Sequence, residues 1–196
     1  MVYWSYHNRR EGRSVRTNGE GTRVVYLLFT RSETYPSRAI RFFTHGEYTH
    51  VSIGLEGPTG IFYSFARKYP QYPLPGGLVL EQRERGFYSI HPDVPCCLRT
   101  LTVSEDTYRR LRRRLGNMYR ERDCYHYNLL GAISSKFGLP LARRRHKFCS
   151  EFVAEMLRES GAVWLDKEPA LVKPMDIYGL GSLNTVYRGS VGSLGA

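Results

Sequence analysis

Tyr48-Thr49-His50-Val51-Ser52-Ile53-Gly54-Leu55 alternates strictly, with bulky apolar Val51, Ile53 and Leu55 interleaved with His50, Ser52 and Gly54. Period two is the mark of a half-buried strand, because successive side chains leave opposite sides of the pleat. A strand is therefore predicted over 49–55. Glu56-Gly57-Pro58-Thr59-Gly60 follows as turn chemistry, and residues 61–66 form another apolar run. Together they predict an antiparallel hairpin. The small residues beside His50 predict room on that face for a helix terminus to approach the imidazole.

Outward from the hairpin, residues 24–30 read as a buried strand, and further strands are predicted at 78–82 and 97–103. Ser37 caps a short predicted helix through Phe43, ended by His45-Gly46. Ser104-Glu105-Asp106 is a helix start, with a capping hydroxyl and acids in the first turn. Tyr108, Leu111, Leu115 and Met118 then recur at helical spacing as a buried stripe, leaving the seven arginines between Arg109 and Arg122 mostly on a solvated face. A second helix is predicted over 127–137, stopping at Gly138 and Pro140. A third runs from Cys149 to Ser160, with Phe152, Val153, Met156 and Leu157 inward and Gly161 closing it. Strands first and helices later, with antiparallel connections, predict an α+β domain.

The 196 residues suit one domain with a sizeable core. A hydrophobic share of 41% and an aromatic share of 13% exclude disorder as the general state. Residues 1–22 read as a flexible basic arm, 23–178 as the folded domain and 179–196 as a Gly/Ser-rich tail. The 29 basic and 18 acidic residues give a net charge of +11, which suits an anionic polymer or membrane surface. Arginine outnumbers lysine 24 to 5, but no helix-turn-helix, zinc-knuckle or RNP pattern accompanies the charge, so a nucleic-acid partner is not expected. The apolar run Val24–Phe29 is too short to span a bilayer, and no apolar stretch follows the early arginines. The expected address is cytoplasmic, where Cys96, Cys97, Cys124 and Cys149 stay free thiols.

Cys149 opens the third helix just after Arg143-Arg144-Arg145-His146-Lys147. Unpaired amides, the positive end of the dipole and neighbouring cations all favour a thiolate there. Beside a base such a thiolate is a nucleophile; without one, the residue is a small buried hydrophobe. His50 is the natural base, or alternatively an inert histidine at a sheet edge.

The segments Tyr48–Leu55, Tyr63-Ser64-Phe65-Ala66-Arg67-Lys68, Tyr125-His126-Tyr127-Asn128 and Phe148-Cys149-Ser150-Glu151-Phe152-Val153-Ala154-Glu155 together resemble a bacterial family. This is the circularly permuted branch of the papain-like, NlpC-type cysteine hydrolases, in which the His strand comes first and the Cys helix last. The resemblance spans residues 24–176. It implies a permuted papain-like fold and a hydrolase of the amidase or peptidase type, with Cys149 attacking a carbonyl through a thioester and His50 as general base and acid. It implies that Tyr125 lies beside the nucleophile, though plain aromatic packing also accounts for that residue. It places Ser64 as the third member of a triad; Glu81, one strand further, is the charged alternative.

The implied substrate is a small molecule, peptide or lipid carrying an amide or ester bond, and no cofactor or metal is expected. Some relatives of this permuted order are lipid acyltransferases or phospholipases, which keeps acyl transfer as an alternative. Two other readings compete. Cys124, His126, His146 and Cys149 are numerous enough for a Cys₂His₂ zinc site, although their spacing lacks the usual two-residue gap between cysteines. A non-catalytic basic binding module would leave Cys149 in the core.

Overall fold

Val25, Leu27 and Phe29 on one side of the first strand, and Leu28 on the other, are all buried. A strand apolar on both faces must be covered on both. In the computed structural model, which describes residues 21–31, 46–69 and 75–195, this strand β1 (Thr22–Thr30) is interior to a six-stranded sheet. The sheet order is β4-β3-β2-β1-β5-β8, with β2 (His50–Gly54), β3 (Phe62–Arg67), β4 (Gly76–Glu81), β5 (Pro95–Ser104) and β8 (Asn184–Ser190). Every neighbouring pair is antiparallel. The predicted hairpin forms as β2–β3, its turn closed by Gly60 N–H to the Gly57 carbonyl at 3.2 Å, with Gly57 at φ 109°.

The Val25, Leu27, Phe29, Val51, Ile53 and Phe65 side chains form one core with Leu111, Leu115, Phe152, Val153, Met156 and Leu157 from the helices. Those helices are α2 (Glu105–Arg120) and α4 (Cys149–Ser160). The opposite face carries Leu28, Phe62, Cys96 and Leu98, covered by the short α1 (Phe87–Ile90) and by Val191 and Leu194. Adjacent Cys96 and Cys97 thus enter different cores. The molecule is an α+β protein with an antiparallel sheet packed against helices.

Ser104 caps α2 as its sequence predicts, its Oγ accepting from the Thr107 N–H at 3.3 Å. Ser104→Ala is expected to lower unfolding free energy by about 1 kcal/mol in a denaturant titration. The inward stripe of α2 is Thr107, Leu111, Leu115 and Met118. Tyr108 lies at its margin and donates its hydroxyl to the Leu55 carbonyl at 2.9 Å. Two of the arginines on α2 are structural: Arg110 donates to the Ser160 carbonyl at 2.9 Å, and Arg114 pairs with Glu159.

Three expectations need correction. The Gly/Ser-rich tail 179–196 is part of the fold, because β8 pairs along the edge of β5 and Val191 and Leu194 plug the second core. The strand predicted at 78–82 begins two residues earlier, with Gly76 and Gly77 opening β4. A Cβ on Gly77 would lie 2.6 Å from the Tyr125 carbonyl oxygen, and one on Gly76 2.7 Å from the Tyr127 Cβ, so only glycine allows this approach. The helix predicted over 127–137 begins later, as α3 (Leu129–Ser134) capped by Asn128, because residues before it form the two-stranded ribbon β6 (His126–Tyr127) and β7 (His146–Lys147). Of the predicted arm 1–22, residues 1–20 lie outside the described residues and Thr22 already belongs to β1; the predicted helix at 37–43 also lies outside them. Helix α5 (Pro174–Tyr178) completes the set used below.

Candidate active site

His50 begins β2 and pairs with Thr30 at the end of β1. Its side chain shares the face of Ser52, Ser64 and Glu81, whereas α4 packs on the face of Val51 and Ile53. The predicted approach of the helix across Ser52 and Gly54 is therefore corrected: an amphipathic helix covers the more apolar face. Gly54 is small for another reason, since a Cβ there would meet the Phe62 ring at 2.9 Å. The β2–β3 ladder holds only at Ile53↔Tyr63 and Gly54↔Phe62. Toward His50 the strands part, and the N-terminus of α4 comes to this end of β2, where Cys149 lies within electrostatic reach of the His50 ring.

His50 Nε2 lies 2.9 Å from Glu81 Oε1 and 3.2 Å from Ser64 Oγ. Ser64 donates its own proton to the Val51 carbonyl at 3.3 Å, so its oxygen is free to accept from the ring. Both partners then accept the same Nε2–H, which leaves Nδ1 for the thiol of Cys149. Sequence reading left Ser64 and Glu81 as alternatives; the geometry uses both. Behind Glu81 stands the buried Tyr88, whose hydroxyl is 3.5 Å from Glu81 Oε2 and 3.2 Å from Thr30 Oγ1. Tyr88 is a positioning residue that sequence reasoning missed, since it comes from α1 on the far side of the sheet edge.

The His50 and Glu81 side chains are only 19% and 12% exposed. Burial by itself would lower the imidazole pKa. The charges of Glu81 and Cys149, with their hydrogen bonds, outweigh it and hold His50 well above the usual 6.5.

Cys149 is the first residue of α4 and is 5% exposed. Phe148 occupies the capping position and has no side-chain acceptor. Only the return half of a capping box forms, with Phe148 N–H donating to Glu151 Oε2 at 3.3 Å. The first amides of α4, that of Cys149 included, have no intrahelical partner and are left to stabilise negative charge. Glu151 is buried and its carboxyl is pushed up to about 7, by desolvation against the opposing pull of Lys147 and the Phe148 N–H. At neutral pH it therefore weighs less than a full charge against a neighbouring thiolate.

Tyr125 packs edge-on against Phe65, ring centroids 6.0 Å apart. Tyr127 also interacts electrostatically with Cys149, its hydroxyl pKa raised first by burial and then by the sulfur. Tyr125 is itself extended, at φ −104° and ψ 137°, so residues two apart share a side. The period-two spacing of Tyr125 and Tyr127 was the available signal. Of the four residues considered for zinc, His126 and His146 have ring centroids 5.1 Å apart, but Cys124 is exposed and Cys149 faces His50. Among the described residues no group of three His, Cys, Asp or Glu side chains is gathered to hold a metal ion. Likewise, no helix is long and apolar enough to cross a membrane.

Comparisons with protein-family models, with curated proteins and with solved structures give no match to this chain.

Proposed function

We propose that the protein is a thiol hydrolase of permuted papain-like, NlpC-type architecture, acting on an amide or ester bond through Cys149. The observation that carries the reading is the His50–Glu81 hydrogen bond at 2.9 Å, with Cys149, at a helix N-terminus that supplies free amides, in electrostatic reach of the same ring.

In the first half-reaction the sulfur attacks the carbonyl carbon and a C–S bond forms. His50 then gives its proton to the departing amine or alcohol as the C–N or C–O bond breaks. In the second, His50 takes a proton from water, the resulting hydroxide attacks the thioester, and the C–S bond breaks to release the acid and the thiolate. The Cys149 amide stabilises the oxyanion in both steps, with Tyr125 or its neighbour Tyr127 as the side-chain donor. Glu81 fixes the ring and stabilises its charged form; Ser64 adds a neutral hydrogen bond. A reducing compartment, in which the thiol stays free, is the setting this requires.

Incubation with activated esters and amides, followed by intact-mass detection, tests the reading. Wild type is expected to gain the mass of one acyl group, and Cys149→Ala to gain none. Equal acylation of both proteins would refute it.

A further inference from the structure

Between β6 and β7 the chain makes one excursion, residues 128–145. Its first part is apolar and outside: Leu130 and Leu139 are each 63% exposed and Phe137 71%, with Leu129, Ile133 and Leu141 also exposed. Leu130, Ile133 and Phe137 follow one another at spacings of 3 and 4, which puts them on one side of α3 and the 3₁₀ turn Ser135–Phe137 that continues it. Leu139 and Leu141 lie just beyond the turn, where Gly138 at φ 71° reverses the chain. Its second part is basic: Arg143, Arg144 and Arg145 are exposed, and none pairs with a described carboxylate.

This excursion is built, not loose. The Asn128 side chain accepts from Gly131 N–H at 3.0 Å and donates to the Leu141 carbonyl at 2.9 Å, tying the start of the apolar stretch to its end. His126 N–H donates to the Arg145 carbonyl at 2.8 Å and Asn128 N–H to that of Lys147 at 2.9 Å, so the apolar and basic parts spring from one ribbon. A small protein seldom exposes this many large apolar side chains together unless something covers them.

We infer that residues 129–145 form a docking surface for an anionic lipid bilayer, with Leu130, Ile133, Phe137 and Leu139 entering the headgroup boundary and Arg143–Arg145 holding acidic headgroups. Charge complementarity selects this occupant: an apolar tip beside three exposed guanidinium groups with no carboxylate partner among the described residues fits the edge of an anionic membrane, where acyl chains lie beneath acidic headgroups. The same ribbon carries Tyr127 at its root and leads from Lys147 directly to Phe148 and Cys149. The inference stands apart from the proposed chemistry.

Co-sedimentation of the full chain with phosphatidylcholine vesicles, with and without phosphatidylglycerol, tests it. Wild type is expected to bind the anionic vesicles and to bind the neutral ones weakly. Arg143→Ala, Arg144→Ala and Arg145→Ala combined are expected to weaken anionic binding on the order of a hundredfold. Leu130→Ser with Phe137→Ser, which leaves the charge unchanged, is expected to weaken it more than about tenfold. Both variants change exposed residues only, and thermal unfolding checks that each remains folded. Cys149→Ala is expected to bind as wild type does, which separates this result from the question of catalysis. Absence of sedimentation, or binding indifferent to the Leu130/Phe137 pair, would overturn the inference. So would self-association of the wild type that the same serine pair abolishes, which would make a second copy the occupant.

Discussion

Glu81→Gln is expected to slow turnover at Cys149 by on the order of a hundredfold to ten-thousandfold, whereas Ser64→Ala should cost less than about tenfold. The difference follows from charge. Both side chains accept from His50 Nε2, at 2.9 and 3.2 Å, but only the carboxylate stabilises the imidazolium that forms when the ring takes a proton. Glutamine keeps the shape and can present its N–H₂ group to the ring, which then favours the wrong tautomer. The same substitution has a pH signature. The folded pKa of His50 lies above 6.5, so the stability gained from its charged form is complete below that value and is lost as pH rises through the folded pKa. Stability lost in Glu81→Gln should therefore be largest under mildly acidic conditions and shrink in alkali. Paired urea titrations of the two proteins across that range check the sign. A larger effect from Ser64→Ala than from Glu81→Gln on turnover would show that the hydroxyl is the true partner.

Removing residues 184–196 is expected to destabilise the protein by about 3–6 kcal/mol, from the loss of two wholly buried apolar side chains alone. That is a large share of the stability of an ordinary domain, roughly 5–15 kcal/mol. Val191 and Leu194 are 1% and 2% exposed and close the second core over Leu28, Phe62 and Leu98. Val191 N–H donates to the Val94 carbonyl at 3.0 Å, Gly192 N–H to that of Pro92 at 2.8 Å, and Arg83 to that of Leu194 at 2.7 Å. The truncation would also expose the long edge of β5. Thermal unfolding of full-length and truncated chains measures the loss. An unchanged midpoint would mean that the segment is the dispensable tail its composition suggests.

The strands and helices that bury one face were readable because their periods were clean. The alternation from Val51 to Leu55 and the helical spacing of Phe152, Val153, Met156 and Leu157 each place themselves, and the hydroxyl of Ser104 marks where α2 begins. The C-terminal strand was not readable, because five of its seven residues are polar or glycine and only Val186 and Tyr187 break the pattern. Its place is set by the open edge of β5, which is a tertiary fact. The pairing of His50 with Cys149 was legible as two residues of the right chemistry; the route by which they meet was not. Which face a helix covers depends on the summed apolar area of the whole sheet, and the opening between β2 and β3 leaves no mark in either strand. Glu81 was visible only as a carboxylate one strand beyond Ser64. Its role became clear only from the side-chain contact with His50 at 2.9 Å, because the register sets Glu81 opposite Phe62 and Gly54, at the other end of β2.

Site-resolved alkylation of the four cysteines by iodoacetamide at neutral pH, followed by peptide mass spectrometry, tests the pairing of sulfur and imidazole most directly. Cys124 is exposed, Cys149 is 5% exposed, and burial pushes the Cys96 thiol up to about 12. On access alone Cys124 would react first. The pairing predicts that Cys149 reacts fastest in the wild type and falls behind Cys124 in His50→Ala. Cys124 leading in both proteins, with the rate at Cys149 untouched by loss of the imidazole, would contradict it.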